Sequence, residues 1–145
     1  MSNSISLNIT LDSNNEIFCK NIIQLLIKGD WNIIKDNKIT FLPLGDDDMF
    51  EWTSADISIN NFIKLVDEKE NLNELVAVEL YWKDTDIGGH LLLYNSSDFS
   101  FELNINTRYI TTEIKIPDFN WYVERIIPCL NQHYHIMQYK FEFIY

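Results

Sequence analysis

The sequence of 145 residues predicts one two-layer α+β domain over residues 1–145, with about three helices on one face of a mainly antiparallel sheet. Several segments alternate apolar and polar residues with a period of two, which is typical of strands with one buried and one solvated face. Parallel strands, buried on both faces, are more continuously apolar. Hydrophobic residues make up 46% of the chain, which excludes a disordered protein.

In the first half of the chain, strands alternate with two helices. Residues 5–11 alternate as a strand, and a helical apolar spacing then runs from Ile17 to Leu26 and stops at Gly29. The turn at residues 35–37 predicts a hairpin. We then expect a short strand at 49–53 and a second helix capped by Ser54 or Asp56. The end of this helix, at 67–71, should be a charged and solvated tail.

The second half of the chain is predicted to be mostly sheet. The period of two recurs in four segments, which we expect to be strands: residues 76–82, 99–105, 110–116 and 139–145. A further strand is expected at 90–95, after the turn at 84–89. A third helix should begin after Asp118 and bury a stripe that ends near Leu130. Pro128 should kink or shorten its last turn.

The charge of the chain indicates its class of partner. Eleven Lys and Arg against 22 Asp and Glu give a net charge of −11. Such a surface repels phosphate backbones and anionic lipids, so we expect no nucleic-acid or membrane partner and favour a basic protein. No signal peptide is visible, which predicts a cytoplasmic protein with Cys19 and Cys129 reduced.

Few residue patterns point to a metal, a cofactor or catalysis. The acidic run after Gly45 does not have the spacing of an EF-hand loop. Cys129, His133 and His135 lack a fourth zinc ligand. Phosphate-binding glycine loops and nucleophile motifs are absent from the sequence. We therefore expect no metal, no cofactor and no enzymatic activity.

The residues most suited to bind a partner are carboxylates beside aromatic side chains. Aromatic anchors with charged neighbours are typical of interface hot spots. The predicted primary set is Asp46, Asp47, Asp48, Glu51 and Trp52, and the secondary set is Trp82, Asp84 and Asp86. Because Asp46, Asp47 and Asp48 lie in a loop, we expect their joint replacement by alanine to leave the fold intact and to weaken partner binding.

The segments at residues 45–52, 67–70 and 79–84, in a short and very acidic chain, resemble the immunity proteins of bacterial contact-dependent growth inhibition and other polymorphic toxin systems. The resemblance is one of overall character. It implies tight binding to a cognate basic toxin domain, often a nuclease, whose active site or substrate surface is blocked. We expect the protein to be a monomer or a weak dimer.

Two other functions share some of these features. A DNA mimic that inhibits DNA-binding proteins would also be acidic, although it needs carboxylates spread along an extended face. A metal-dependent nuclease could use Asp98, Glu113 and Lys115, because an E-x-K sequence on a strand can hold magnesium and polarise a phosphate.

Overall fold

The computed structural model describes residues 4–12, 16–111 and 113–144. In chain order the elements are β1 (Ser4–Leu11), α1 (Cys19–Lys28), β2 (Trp31–Asn32), β3 (Ile34–Lys35), β4 (Lys38–Phe41), β5 (Thr53–Ala55), α2 (Ile59–Asn71), β6 (Val76–Trp82), β7 (Gly88–Leu93), β8 (Asp98–Ile105), α3 (Phe119–Asn131) and β9 (Ile136–Ile144). Within the described residues the sheet has nine strands and every pairing is antiparallel. The predicted α+β class is confirmed.

The strand order along the sheet is β3-β4-β6-β7-β8-β1-β9, with β2 on β6 and β5 on β4. Alternate residues of the central strands, such as Leu7, Val78 and Phe101, pack with the apolar stripes of the helices in one continuous core. The opposite face of the sheet is mostly polar. It carries a small second cluster of Leu42, Leu75, Ala77 and Leu92, with Trp52 packed against it.

Short polar and glycine signals set several boundaries as predicted. Asp36 and Asn37 both have positive φ, which gives the β3–β4 hairpin a turn whose twist matches its strands. Gly29 ends α1, where its N–H donates to Leu25 O at 3.0 Å. A Cβ at Gly29 would clash with the Cys129 sulfur, so this glycine also permits the close approach of α1 and α3. Asp118 caps α3, and its carboxylate accepts from Trp121 N–H.

Three of the predicted boundaries are wrong, and Pro128 does not shorten α3. The strand expected at residues 110–116, of which Thr112 lies outside the described residues, is an irregular segment with one bridge between Tyr109 and Pro117. The strand expected at 49–53 forms instead at β5. The cap of α2 is Ser58, whose hydroxyl accepts from Asn61 N–H. The helix α3 runs through Pro128 to Asn131.

The charged tail of α2 is only partly solvated, contrary to expectation, because Glu68 and Asn71 alone are exposed. Lys69 is fully buried. Asp67 pairs with Lys20 of α1 at 3.3 Å, and Glu70 accepts the backbone N–H of Cys19 at 3.0 Å. Burial raises the pKa of the Cys19 thiol, and the nearby Glu70 carboxylate raises it further. The tail therefore joins α2 to α1.

Candidate functional site

The loop between β4 and β5 is built around the buried Lys69 side chain. The Lys69 ammonium donates to Pro43 O at 2.7 Å, to Asp46 O at 2.6 Å and to Glu74 Oε1 at 3.3 Å. These three acceptors match the three donors of the ammonium group. Without them, the burial of a charged lysine would be strongly unfavourable. The loop and the end of α2 therefore form one unit.

Asp46 organises the loop from inside. Its residue is only 6% exposed. The carboxylate accepts three backbone N–H groups, from Met49 at 3.0 Å, Phe50 at 3.2 Å and Glu51 at 2.8 Å. An ionised carboxylate forms strong hydrogen bonds of this kind. Asp46 therefore shapes the backbone of the segment that follows it, although the sequence suggested a partner-binding side chain.

Asp47 and Glu74 fasten the loop to the start of β6. The Asp47 carboxylate accepts the N–H of Leu75 at 2.7 Å, and Glu74 Oε1 accepts the N–H of Gly45 at 2.8 Å. Gly45 has a φ of +92°, a conformation that glycine adopts without steric cost. Two of the three consecutive aspartates are thus used within the fold.

The loop presents what we call the acidic tip, formed by Asp48, Met49, Phe50 and Glu51. All four residues are exposed, Met49 by 67% and Phe50 by 46%. Phe50 has a φ of +54°, which is uncommon and strained for a bulky side chain. The hydrogen bonds to Asp46 hold it there. The result is two apolar side chains fixed between two exposed carboxylates.

Trp52 follows the tip and lies on the polar face of the sheet. Its ring stacks on His90, with centroids 4.2 Å apart and planes at 25°. His90 Nε2 is 3.1 Å from Glu79 Oε2, and Asn104 Nδ2 is 2.6 Å from His90 Nδ1. With the Asn104 amide donating to Nδ1, Nε2 donates to Glu79, so both ring nitrogens have a partner.

Tyr81 completes the group of polar side chains around Glu79. Its hydroxyl donates to Glu79 Oε1 at 2.7 Å. Burial raises the pKa of the Tyr81 phenol, and the Glu79 carboxylate that accepts its hydrogen bond raises it further. Glu79, Tyr81, His90 and Asn104 thus form one hydrogen-bonded group, on which the Trp52 ring stacks through His90.

The secondary set lies elsewhere. Trp82 shares a face with Val78 and Leu80, so it points toward the helices, where it meets Trp31 at 5.2 Å and the Arg125 guanidinium at 5.5 Å. Asp84 and Asp86 are exposed in the turn after β6. The length of β6, ~20 Å for its seven residues, separates this turn from the loop around Lys69. The two predicted sets do not form one surface.

The residues of the catalytic alternative are not arranged as that alternative requires. Glu113 and Lys115 lie in the irregular segment between β8 and α3, so the E-x-K is not on a strand. Asp98 begins β8 and accepts from Thr10 Oγ1 at 3.1 Å. Over the described ranges, no group of three or more His, Cys, Asp or Glu is placed to hold a metal ion.

The histidines that sequence analysis weighed as zinc ligands, His133 and His135, are exposed and precede β9. Cys129, the third member of that set, is a free thiol in α3. None of the helices in the described part of the chain has both the length and the apolar character to cross a bilayer.

Sequence reasoning missed two features of this site. It placed Met49 and Phe50 in a strand, and it placed Lys69 in solvent. For Lys69 a signal was present, because it follows the buried Phe62 by seven residues and Val66 by three, which puts all three on one helix face. No comparable signal marked Phe50.

Comparison of the chain with known protein families, with curated proteins and with solved structures found no match. The function is therefore inferred from the geometry of the acidic tip and from the charge of the chain.

Proposed function

We propose that this protein binds and neutralises a cognate basic toxin domain inside a bacterial cell, and that the acidic tip is the centre of the contact. The observation that carries the proposal is the preorganised loop, in which buried Lys69 and Asp46 hold Met49 and Phe50 exposed between Asp48 and Glu51. Strained and exposed residues of this kind cluster at functional sites.

The composition of the tip suits a protein interface. Aromatic and methionine side chains are enriched in the core of interfaces, and charged groups form the rim. Because the loop is fixed before binding, association loses little conformational freedom at the contact. A flexible acidic loop would lose much of its binding energy to ordering.

The overall charge supports a basic partner. A net charge of −11 speeds encounter with a positively charged surface, with association rate constants up to ~10⁸–10⁹ M⁻¹s⁻¹ at low salt. Toxin domains that cleave nucleic acids need basic surfaces to bind phosphates. Carboxylates of the tip would occupy such a surface and exclude the substrate, which is the action expected of an immunity protein.

The test is protection of growing cells. The toxin domain encoded beside this gene is expressed with the wild-type protein, with D48K/E51K, or with D84K/D86K. Both variants change the net charge by the same amount, and all four positions are exposed. We expect the wild type and D84K/D86K to protect, whereas D48K/E51K fails and binds the purified toxin at least ~100-fold more weakly.

Other outcomes contradict the proposal. Protection by D48K/E51K equal to that of the wild type would remove the tip from the interface. Equal loss in both variants would show that net charge acts without a specific site. If the protein instead displaces DNA from several unrelated DNA-binding proteins, the DNA-mimic alternative replaces the toxin partner.

A further inference from the structure

The last strand of the sheet, β9, is an open edge. It pairs along its whole length with β1, and within the described residues the sheet order ends there. The opposite end of the sheet consists of β3 and β5, which have two and three residues. Short edge strands resist pairing with another chain, whereas a nine-residue edge without proline is a template for it.

The two faces of β9 differ in chemistry. Tyr139 and Phe141 lie opposite Ile9 and Leu7 of β1, on the helix side of the sheet. Tyr139 nevertheless remains 47% exposed. Lys140 and Glu142 lie opposite Asn8 and Ser6, on the polar face, and both are exposed.

We propose that β9 pairs antiparallel with β9 of a second copy of this chain, about a two-fold axis at Phe141. In this register Lys140 lies opposite Glu142 of the second copy, and Glu142 lies opposite its Lys140. Opposite charges facing each other across two strands stabilise the pairing. Tyr139 lies opposite Phe143 of the second copy on the helix side, where aromatic pairs add packing.

Charge complementarity favours this register, and it favours a second copy of the chain as the pairing partner. A two-fold axis at Lys140 would set lysine against lysine, and an axis at Glu142 would set glutamate against glutamate. Of the four positions from 139 to 142, only an axis at Phe141 gives two attractive pairs, since an axis at Tyr139 sets Lys140 opposite Gln138. An isologous contact requires such a self-complementary surface.

A surface groove beside the edge favours the same arrangement. It lies between the end of α3 and the start of β9, and its lining includes Ile127, Tyr134, Met137 and Tyr139 together with five polar side chains. In the proposed register, Phe143 of the second copy faces Tyr139 and reaches the mouth of this groove. Apolar surface on both chains would then be removed from water.

The dimer does not depend on the proposed function. From β4, which leads into the acidic tip, the sheet continues for five further strands to β9, a distance of ~24 Å. Both acidic tips therefore remain accessible in the pair. Failure of one proposal leaves the other standing.

Sedimentation equilibrium of the full chain tests the proposal, in ~0.15 M salt so that the repulsion between two acidic chains is screened beyond ~8 Å. The samples are the wild type, K140E, E142K, an equimolar mixture of these two variants, and the double variant K140E/E142K. The control is K38E, which makes the same charge change as K140E at an exposed lysine of β4, on the far side of the sheet.

We expect the wild type and K38E to dimerise with a micromolar dissociation constant and each β9 single variant to dimerise at least ~10-fold more weakly, because two attractive pairs become repulsive. The mixture should form a heterodimer, since each facing pair then joins a glutamate of one variant to a lysine of the other. The double variant, in which the two charges exchange places, should regain the wild-type constant. A wild type that stays monomeric overturns the proposal whatever the variants do. So does undiminished dimerisation of K140E and E142K, or equal weakening by K38E.

Discussion

The substitution Lys69→Met tests whether the buried ammonium holds the acidic tip in place. Methionine keeps the length and apolar character of the lysine stem and removes the charge and its three donors. Two carbonyl oxygens, of Pro43 and Asp46, then lose the donors that lie 2.7 and 2.6 Å away. Glu74 loses its cationic partner while only 15% of its side chain is exposed.

The expected loss follows from these contacts. A hydrogen bond to a charged group contributes ~1.5–3 kcal/mol, and removal of one member of a buried ion pair costs ~3–5 kcal/mol. The contacts share one ammonium and are not additive, so we expect the free energy of unfolding to fall by ~3–5 kcal/mol. For 145 residues the entropy of unfolding is ~0.3 kcal/mol/K, so Tm should fall by ~10–16 °C.

Urea unfolding monitored by tryptophan fluorescence measures this loss, with Lys64→Met as the control. Lys64 lies on the same helix and is exposed, so its substitution should change the free energy of unfolding by less than ~0.5 kcal/mol. Hydrogen exchange of the Met49, Phe50 and Glu51 amides reports whether the loop detaches on its own. A K69M protein within ~1 kcal/mol of the wild type, with these amides equally protected, would refute the reasoning.

Three further outcomes are expected. Asp46→Ala should destabilise the protein by ~2–4 kcal/mol in urea unfolding because three N–H groups lose their acceptor, whereas Asp48→Ala should change stability by less than ~0.5 kcal/mol. Phe50→Gly should be ~1 kcal/mol more stable than Phe50→Ala, since glycine relieves the strain of positive φ. The free energy of unfolding should fall as pH rises above ~8.5, because the Cys19 thiol ionises in the unfolded chain and stays protonated in the fold. Urea midpoints measured across this pH range should fall less for Cys19→Ala than for the wild type.

The elements that the sequence predicted well are those in which one local pattern suffices. The alternation at residues 5–11, 76–82 and 99–105 appears as β1, β6 and β8 because each has a neighbour on both sides. Residues 110–116 alternate just as clearly, yet Ile110, Ile114 and Ile116 are about half exposed. Both edges of β8, the strand that precedes this segment, are already paired with β1 and β7, so the segment cannot fold back onto β8 as a hairpin. An alternating sequence predicts which side chains share a face, whereas a strand also needs a neighbouring strand that pairs with its backbone N–H and C=O groups.

The candidate site shows the same limit at the level of single residues. Asp46, Asp47 and Asp48 are identical and consecutive, so composition and spacing assign them the same role. The fold separates them, because a turn of the backbone directs Asp46 inward and ties Asp47 to Leu75, while Asp48 stays in solvent. The path of the loop backbone depends on contacts with Lys69 and Glu74, which lie more than 20 positions further along the chain.

The net charge and the fold thus affect different properties of binding. The net charge of −11 favours a basic partner surface and a fast encounter, and it depends little on where each carboxylate lies. In the proposed complex, specific affinity depends on which carboxylates reach the partner beside an apolar contact, and Asp48 and Glu51 are exposed beside Phe50. Asp46 and Lys69 are buried beneath these groups and hold the backbone that carries them. A change at Lys69 should therefore alter binding without touching the partner, through the geometry of the tip.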